Sequence, residues 1–302
     1  MAVPRLALVG ANGMLAGKVR ALAPDSFEVC GFDLPAFDVT NRMQVLDEMK
    51  RLRPAVIINC AAYTNVDGAE AQEELATRVN GFGPGVLAEA AMAIGALLVH
   101  ISTDYVFDGM KHSPYFESDR VMPLSAYGRS KLAGEQAILA SGLERYFIIR
   151  TSWLHGPGGH NFVATILRLA AERDELRVVA DQVGSPTYTG DLAAAIYKLL
   201  ASTDHGSRIA GHCPCGIYQF ANAGQCSWYE FAEAIVCGAQ QRGVTLPVTR
   251  ITPIATSDYP LPASRPAWSV LSSGRYQSLT GAVVPSWQDG LARHLNEILE
   301  KS

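Results

Sequence analysis

The segment Tyr127-Gly128-Arg129-Ser130-Lys131 places a phenol and an ammonium four residues apart. On a helix, that spacing stacks both side chains on one face, within reach of a shared target. A free tyrosine, with a pKa of about 10, is mostly protonated at neutral pH, and a neighbouring lysine charge favours the phenolate. Such a pair can pass a proton to or from a carbonyl or hydroxyl oxygen. One Tyr and one Lys at helical spacing also occur by chance, so the pair takes its meaning from the elements that position it.

Those elements alternate through the first half of the chain. Apolar runs at 6–9, 28–32, 56–60, 97–101 and 147–150 read as strands, several of them continuous enough to be buried on both faces. Helical patterns at 15–22, 41–51, 69–93 and 127–140 lie between them, the second with Thr40 as its N-cap and Val45, Leu46, Met49 and Leu52 on one face. This alternation predicts an α/β fold, a Rossmann-type doubly wound parallel sheet. After about residue 150, Gly- and Pro-rich segments ("LHGPGGHN", "DQVGSPTYTGD", "YPLPASRPA") separate helices at 162–173, 191–200, 227–240 and 287–299. Short strands at 177–179 and 217–221 punctuate them. The expected organisation is a dinucleotide-binding domain over 1–150 and a smaller mixed α/β substrate lobe over 151–302, interleaved without a separable linker.

The first strand runs into Gly10-Ala11-Asn12-Gly13-Met14-Leu15-Ala16-Gly17. Glycines here permit a tight turn, let a pyrophosphate approach the backbone and present it to a helix N-terminus. Asp33 follows Gly13 by 20 residues, at the end of the second strand. There a carboxylate can accept from an adenosine 2′-hydroxyl and repel a 2′-phosphate, which tilts the choice towards NAD. Asp38 is a second candidate near the adenine. Small Ala61 and Ala62 follow the third strand and would let a cofactor lie close to backbone. The fourth strand ends in Ser102-Thr103-Asp104, where ligands of open α/β sheets bind. The Thr103 hydroxyl could there align proton transfer with Tyr127.

The glycine turn, the strand-end Thr103 and Tyr127-x-x-x-Lys131, in this order, resemble the extended short-chain dehydrogenase/reductases. The ordered segments "AAYTNVDGAE", "STDYVFDG", "YGRSKLAGE", "RTSWLHG", "DQVGSPTYTGDLA" and "RPAWSVL" are similar to those of members that reduce dTDP-linked 4-keto-6-deoxyhexoses for bacterial polysaccharides. The resemblance implies an NADH- or NADPH-dependent oxidoreductase acting on the C4 ketone of a dTDP-sugar. Tyr127 would be the proton donor, Lys131 its partner and the holder of the nicotinamide ribose, and Thr103 the tuning hydroxyl. Gly10, Asn12, Gly13, Met14, Asp33, Asp38, Ala61, Ala62 and Tyr63 would line the dinucleotide. Thr103, Asp104, Tyr127 and Trp153 would face the nucleotide-sugar, with Val66 and Asp67 nearby. Trp153 reads equally well as a core aromatic. Some members hold magnesium through glutamates at a dimer interface. The matching positions here read as Lys18 or its neighbours and Asp191, so no metal is carried over, while a homodimer is compatible with the resemblance.

Three related chemistries compete. Dehydratases of the superfamily read Thr-Asp-Glu where this chain has Thr103-Asp104-Tyr105, and the missing carboxylate argues against elimination. A 4-epimerase, or a reductase of a related keto-sugar, uses the same Tyr and Lys. A fourth reading is a non-catalytic binding module, since the regulatory beta subunit of methionine adenosyltransferase shares several of these segments.

Composition bounds the rest. The chain has 302 residues, 48% hydrophobic and 18% charged, with a net charge of −4. It carries no basic run for nucleic acid and no apolar stretch near the ~20 residues of a membrane span. Its N-terminal apolar run is too short for a signal-peptide core, so a cytoplasmic protein is expected. Of the six cysteines, His212-Cys213-Pro214-Cys215 has a metal-like look but no second pair, and reduced thiols are expected throughout.

Overall fold

The computed structural model describes residues 3–203 and 213–299. In chain order the first half carries β1 (Arg5–Val9), α1 (Met14–Ala21), β2 (Glu28–Phe32), α2 (Arg42–Leu52) and β3 (Val56–Asn59). It continues through α3 (Val66–Ala71), α4 (Glu73–Thr77), α5 (Gly83–Ile94), β4 (Leu97–Thr103), α6 (Ala126–Ala140) and β5 (Tyr146–Thr151). The second half carries β6 (Leu154–His155), α7 (Phe162–Glu172), β7 (Glu175–Val179), β8 (Val183–Gly184), β9 (Thr187–Tyr188) and α8 (Thr189–Ala201). It ends with β10 (Gly216–Gln219), β11 (Cys226–Ser227), α9 (Trp228–Gln241), β12 (Arg250–Ile254), α10 (Gly274–Thr280) and α11 (Trp287–Leu299).

Six strands form one parallel sheet in the order β10-β5-β4-β3-β1-β2. The alternation of β1 explains its central place. Leu6 and Leu8 join Val19, Leu192, Ile196 and Tyr276 on one face, while Ala7 and Val9 join Val45, Met49, Leu87 and Ile138 on the other. A strand buried on both sides must read as a continuous apolar run, and this one does. The second half supplies β10 to the sheet and α8 and α10 to its covering layer. Its remaining elements make a separate core in which Ile166, Phe231, Ile235, Leu291 and Leu295 meet. No helix among the described residues is long and apolar enough to cross a membrane.

Three local expectations fail for identifiable reasons. Asn41, not Thr40, caps α2, because its side chain accepts from Gln44 N, whereas the Thr40 hydroxyl bonds Asp38 Oδ1 at 2.8 Å. The single helix expected at 69–93 is broken at Gln72 and again by a π-turn over Arg78–Phe82. The buried Asn80 holds the π-turn: its amide bonds Tyr63 O at 2.9 Å and Ser130 Oγ at 3.0 Å, and its carbonyl accepts from Tyr63 N at 2.8 Å. Periodicity cannot register a turn fixed by partners distant in the chain. Cys213 and Cys215 form a disulfide with Cα atoms 5.1 Å apart, so the expectation of reduced thiols fails for that pair, which one intervening proline brings within bridging range. Cys30, Cys60, Cys226 and Cys237 are free thiols, and His212 lies outside the described residues.

Candidate active site

The carboxyl ends of β1, β3, β4 and β5 open onto a crevice of about 500 Å³. Thr103 ends β4, and the turn at Asp104–Val106 follows it directly. The start of α6 is pressed onto that turn: Ser125 caps the helix by accepting from Gly128 N, and a Cβ on Gly128 would fall 2.3 Å from Tyr105 O. Only glycine allows this approach, which accounts for the second residue of the Tyr-Gly-Arg-Ser-Lys segment. Tyr127 and Lys131 therefore line the crevice with Thr103 and Asp104.

Thr103 Oγ1 donates to Asp104 Oδ1 at 3.0 Å and lies within hydrogen-bond reach of the Tyr127 phenol. Burial, with the Asp104 charge adding to it, pushes Tyr127 up to about 12 against the lowering effect of Thr103. The phenol thus stays protonated through the neutral range, rather than being drawn towards the phenolate by Lys131. Lys131 Nζ is turned onto Ile101 O at 2.6 Å, and burial lowers it to about 8. Burial also raises Asp104 to about 6 against hydrogen bonds from Ser269 and Thr103. Three titratable groups displaced from their ordinary values, meeting in one cleft, mark a site for proton chemistry.

The glycine turn fits a dinucleotide. Gly10 has φ +75°, and a Cβ there would sit 2.5 Å from Ala61 N, so the turn must pass tightly over the end of β3. Gly13 is the N-cap of α1, and no described side chain caps the helix, which leaves its first-turn N–H groups for an anion. Asp33 accepts from Asn12 N at 2.7 Å and Leu34 N at 2.8 Å, and with Asp38, Ala61 and Ala62 it lines an adjoining cavity of about 300 Å³. Among the described residues, no Lys or Arg lines that cavity. Met14 and Gly13 line the crevice itself, while the Tyr63 ring packs beside Ala69, Ala76 and Ala126.

Trp153 faces the crevice in the left-handed region, at φ +46°, an uncommon conformation for a bulky side chain. Its ring stacks on Trp228 at 3.4 Å and abuts Gly184, where a Cβ would lie 2.5 Å from the indole. Trp228 in turn lines a second cavity of about 530 Å³, bounded by Phe162 of α7, Gln182 and Arg265. Val66 lines the crevice, but Asp67 faces away from it to grip Arg265 through both oxygens, at 3.1 and 2.8 Å. That guanidinium holds the Asp67 carboxyl below the usual carboxylate range. Sequence reasoning missed the second cavity. Phe162, Ile166 and Leu169 recur at core-like spacing, and only Arg265, within the quoted "RPAWSVL", carried any signal.

A family model for the RmlD substrate binding domain matches residues 4–300 of this chain. A dTDP-4-dehydrorhamnose reductase of Burkholderia thailandensis is 45% identical over 82% of this chain and 84% of its own length. One from Aggregatibacter actinomycetemcomitans is 42% identical, over 95% and 97% respectively. The crystal structure of dTDP-4-dehydrorhamnose reductase from Bacillus anthracis in complex with NADP superposes with a TM-score of 0.89, at 40% identity, covering 98% of this chain and all of that one. The family match spans nearly the whole chain, and the chain belongs to the dTDP-4-dehydrorhamnose reductase family.

Proposed function

We propose that this protein reduces the C4 ketone of dTDP-4-dehydrorhamnose to give dTDP-L-rhamnose. The observation that carries the reading is the meeting of Tyr127, Thr103, Asp104 and Lys131 in a crevice whose far wall is the Gly13–Leu15 turn. That turn, with Asp33, Ala61 and Ala62, would hold NADH or NADPH, which would supply hydride chemistry at C4. The chain's own part is proton delivery and orientation. Tyr127 gives its phenolic proton to the ketone oxygen as that oxygen gains negative charge, and solvent restores the phenol. Thr103 orients the same oxygen, and Lys131 stabilises the phenolate while it exists. Asp104 and the Trp153 indole bound the sugar.

The second cavity suits the nucleotide half of the substrate. Phe162 and Trp228 offer faces for a base, and the edge of the Arg265 guanidinium not engaged by Asp67 offers N–H donors for a diphosphate. Asp33, in a cavity with no basic lining residue among the described residues, favours NADH over NADPH, because a 2′-phosphate would meet a carboxylate there. The test is product analysis: protein, NADH and dTDP-4-dehydrorhamnose should yield dTDP-L-rhamnose, identified by proton NMR. Interconversion of dTDP-L-rhamnose and its C4 epimer without net NADH oxidation would replace the proposal with an epimerase, and no conversion of the keto-sugar with either cofactor would refute it.

A further inference from the structure

Behind the crevice lies a buried ion pair that proton delivery from Tyr127 does not by itself require. Glu135 stands one turn beyond Lys131 on the same face of α6, and its side chain is 1% exposed. Arg150 of β5 binds both of its oxygens, Nε at 3.0 Å and Nη2 at 2.7 Å. The Ser102 hydroxyl donates to Glu135 Oε1 as well. Arg150 is itself fixed, with Nη1 on Glu117 O at 3.4 Å and its guanidinium over the Phe107 ring at 5.2 Å. Taking two charges out of water is costly, and a sheet–helix interface could be filled at lower cost by apolar side chains. The pair sits between the strand end that carries Thr103 and the helix turn that carries Lys131.

Lys131 has an unusual need. Its ammonium is buried, and among the described residues its one hydrogen bond is to the neutral carbonyl of Ile101. The titratable groups packed around it are Cys60 at the end of β3, His100 on β4, Asp104, and Tyr127 and Glu135 on α6. Burial keeps Cys60, at about 12, and Tyr127, at about 12, in their neutral forms, and drives His100 well below its ordinary value, so it too is neutral. Asp104 is turned to Thr103 and Ser269. Glu135 is thus the carboxylate that favours the Lys131 ammonium.

We propose that Glu135, clamped by Arg150 and Ser102, is a positioning residue that keeps Lys131 protonated in the catalytic crevice. The inference rests on the role given to Lys131 under the proposed function. The clamp has a second consequence. With both oxygens bonded to Arg150 and one also to Ser102, the carboxylate cannot swing onto Lys131 and pull the ammonium away from the crevice.

The sign of the pH effect follows. Lys131 carries its charge below about 8 and loses it above. Activity that needs the ammonium therefore falls as pH rises through that value. Removing the Glu135 charge moves the fall to lower pH.

The experiment is the pH profile of kcat/KM from pH 6 to 10 for the whole protein with NADH and dTDP-4-dehydrorhamnose, compared among wild type, Glu135→Gln, Glu135→Asp and Ser102→Ala. The alkaline limb should move down by about one pH unit or more in Glu135→Gln, the low end for loss of a nearby opposite charge. It should move less in Ser102→Ala and return towards wild type in Glu135→Asp, with the acid-side plateau kept within about threefold in each. Should Glu135→Gln leave Arg150 unpaired and the protein unfolded, the Glu135→Gln/Arg150→Met double variant removes both charges, and a downward shift smaller than about one pH unit is expected, because the Arg150 cation that opposes the Lys131 ammonium leaves with the carboxylate. A uniform loss of rate with the limb unmoved would make Glu135 structural only and overturn the inference. A wild type that turns over while the limb stays fixed refutes this inference alone. A wild type without sugar-dependent turnover refutes the reading of the site itself.

Discussion

The crevice at the end of β4 and the cavity between α7 and the segment carrying Arg265 have similar volumes, about 500 and 530 Å³, yet their linings do different work. In the crevice, Lys131 and Asp104 are buried and Tyr127 partly so, and the three are held at about 8, 6 and 12, away from their ordinary values. In the second cavity, Phe162, Trp228 and Arg265 offer flat faces and one guanidinium already anchored by Asp67. On the proposed reading, the first arrangement delivers a proton and the second holds the nucleotide. The stacked Trp153–Trp228 pair is the wall they share, one indole facing each cavity. A two-part substrate explains why both exist. The reacting sugar requires displaced pKa values, and the nucleotide requires only complementary shape and charge.

If this division holds, damage on each side should register in a different constant. The largest effect belongs to Tyr127→Phe, which removes the donor hydroxyl and should lower kcat at least ~10²-fold while NADH binding, followed by fluorescence, is kept. Arg265→Gln loses charge and fork geometry together, and it frees Asp67. It should raise KM for the nucleotide-sugar by about tenfold or more, the scale of a charge-assisted contact, with kcat within about threefold. Trp228→Ala should act in the same direction and more weakly, since Trp153 would lose its stacking partner but keep its contact with Gly184. The smallest effect expected is at the adenosine end. Asp33→Ser should improve kcat/KM with NADPH relative to NADH by several-fold, without changing which sugar is reduced. A Tyr127→Phe variant that changed only KM, or an Arg265→Gln variant that changed only kcat, would break the contrast.

The two regions were not equally legible in the sequence. Much of the crevice carries short-range signals: glycines where the backbone must turn, polar residues directly after an apolar strand, a Tyr and a Lys one helical turn apart; Ser152, Gly159 and His160 line it without such a mark. Such signals survive because the chain segments that build the crevice each carry their own local reason. The second cavity is a product of tertiary packing. Phe162 and Trp228 open helices whose apolar stripes look like ordinary core, and Asp67 meets Arg265 across 198 residues. The π-turn at Asn80 escaped for the same cause, since its partners Tyr63 and Ser130 come from other elements. The sequence suggests Asp67 as a residue near the sugar; in the fold its carboxylate pairs with Arg265. Lys131 was expected to act on Tyr127 directly; its hydrogen bond to Ile101 O and the carboxylate behind it were not visible from spacing alone.

The most direct measurement follows absorbance at 340 nm with NADH and increasing dTDP-4-dehydrorhamnose for wild type, Tyr127→Phe and Arg265→Gln side by side. The account predicts sugar-dependent oxidation by the wild type, a collapse of kcat in Tyr127→Phe, and a raised KM with near-normal kcat in Arg265→Gln. Wild-type protein that binds NADH yet oxidises none of it with the sugar present, or a Tyr127→Phe variant that keeps most of its activity, would contradict it.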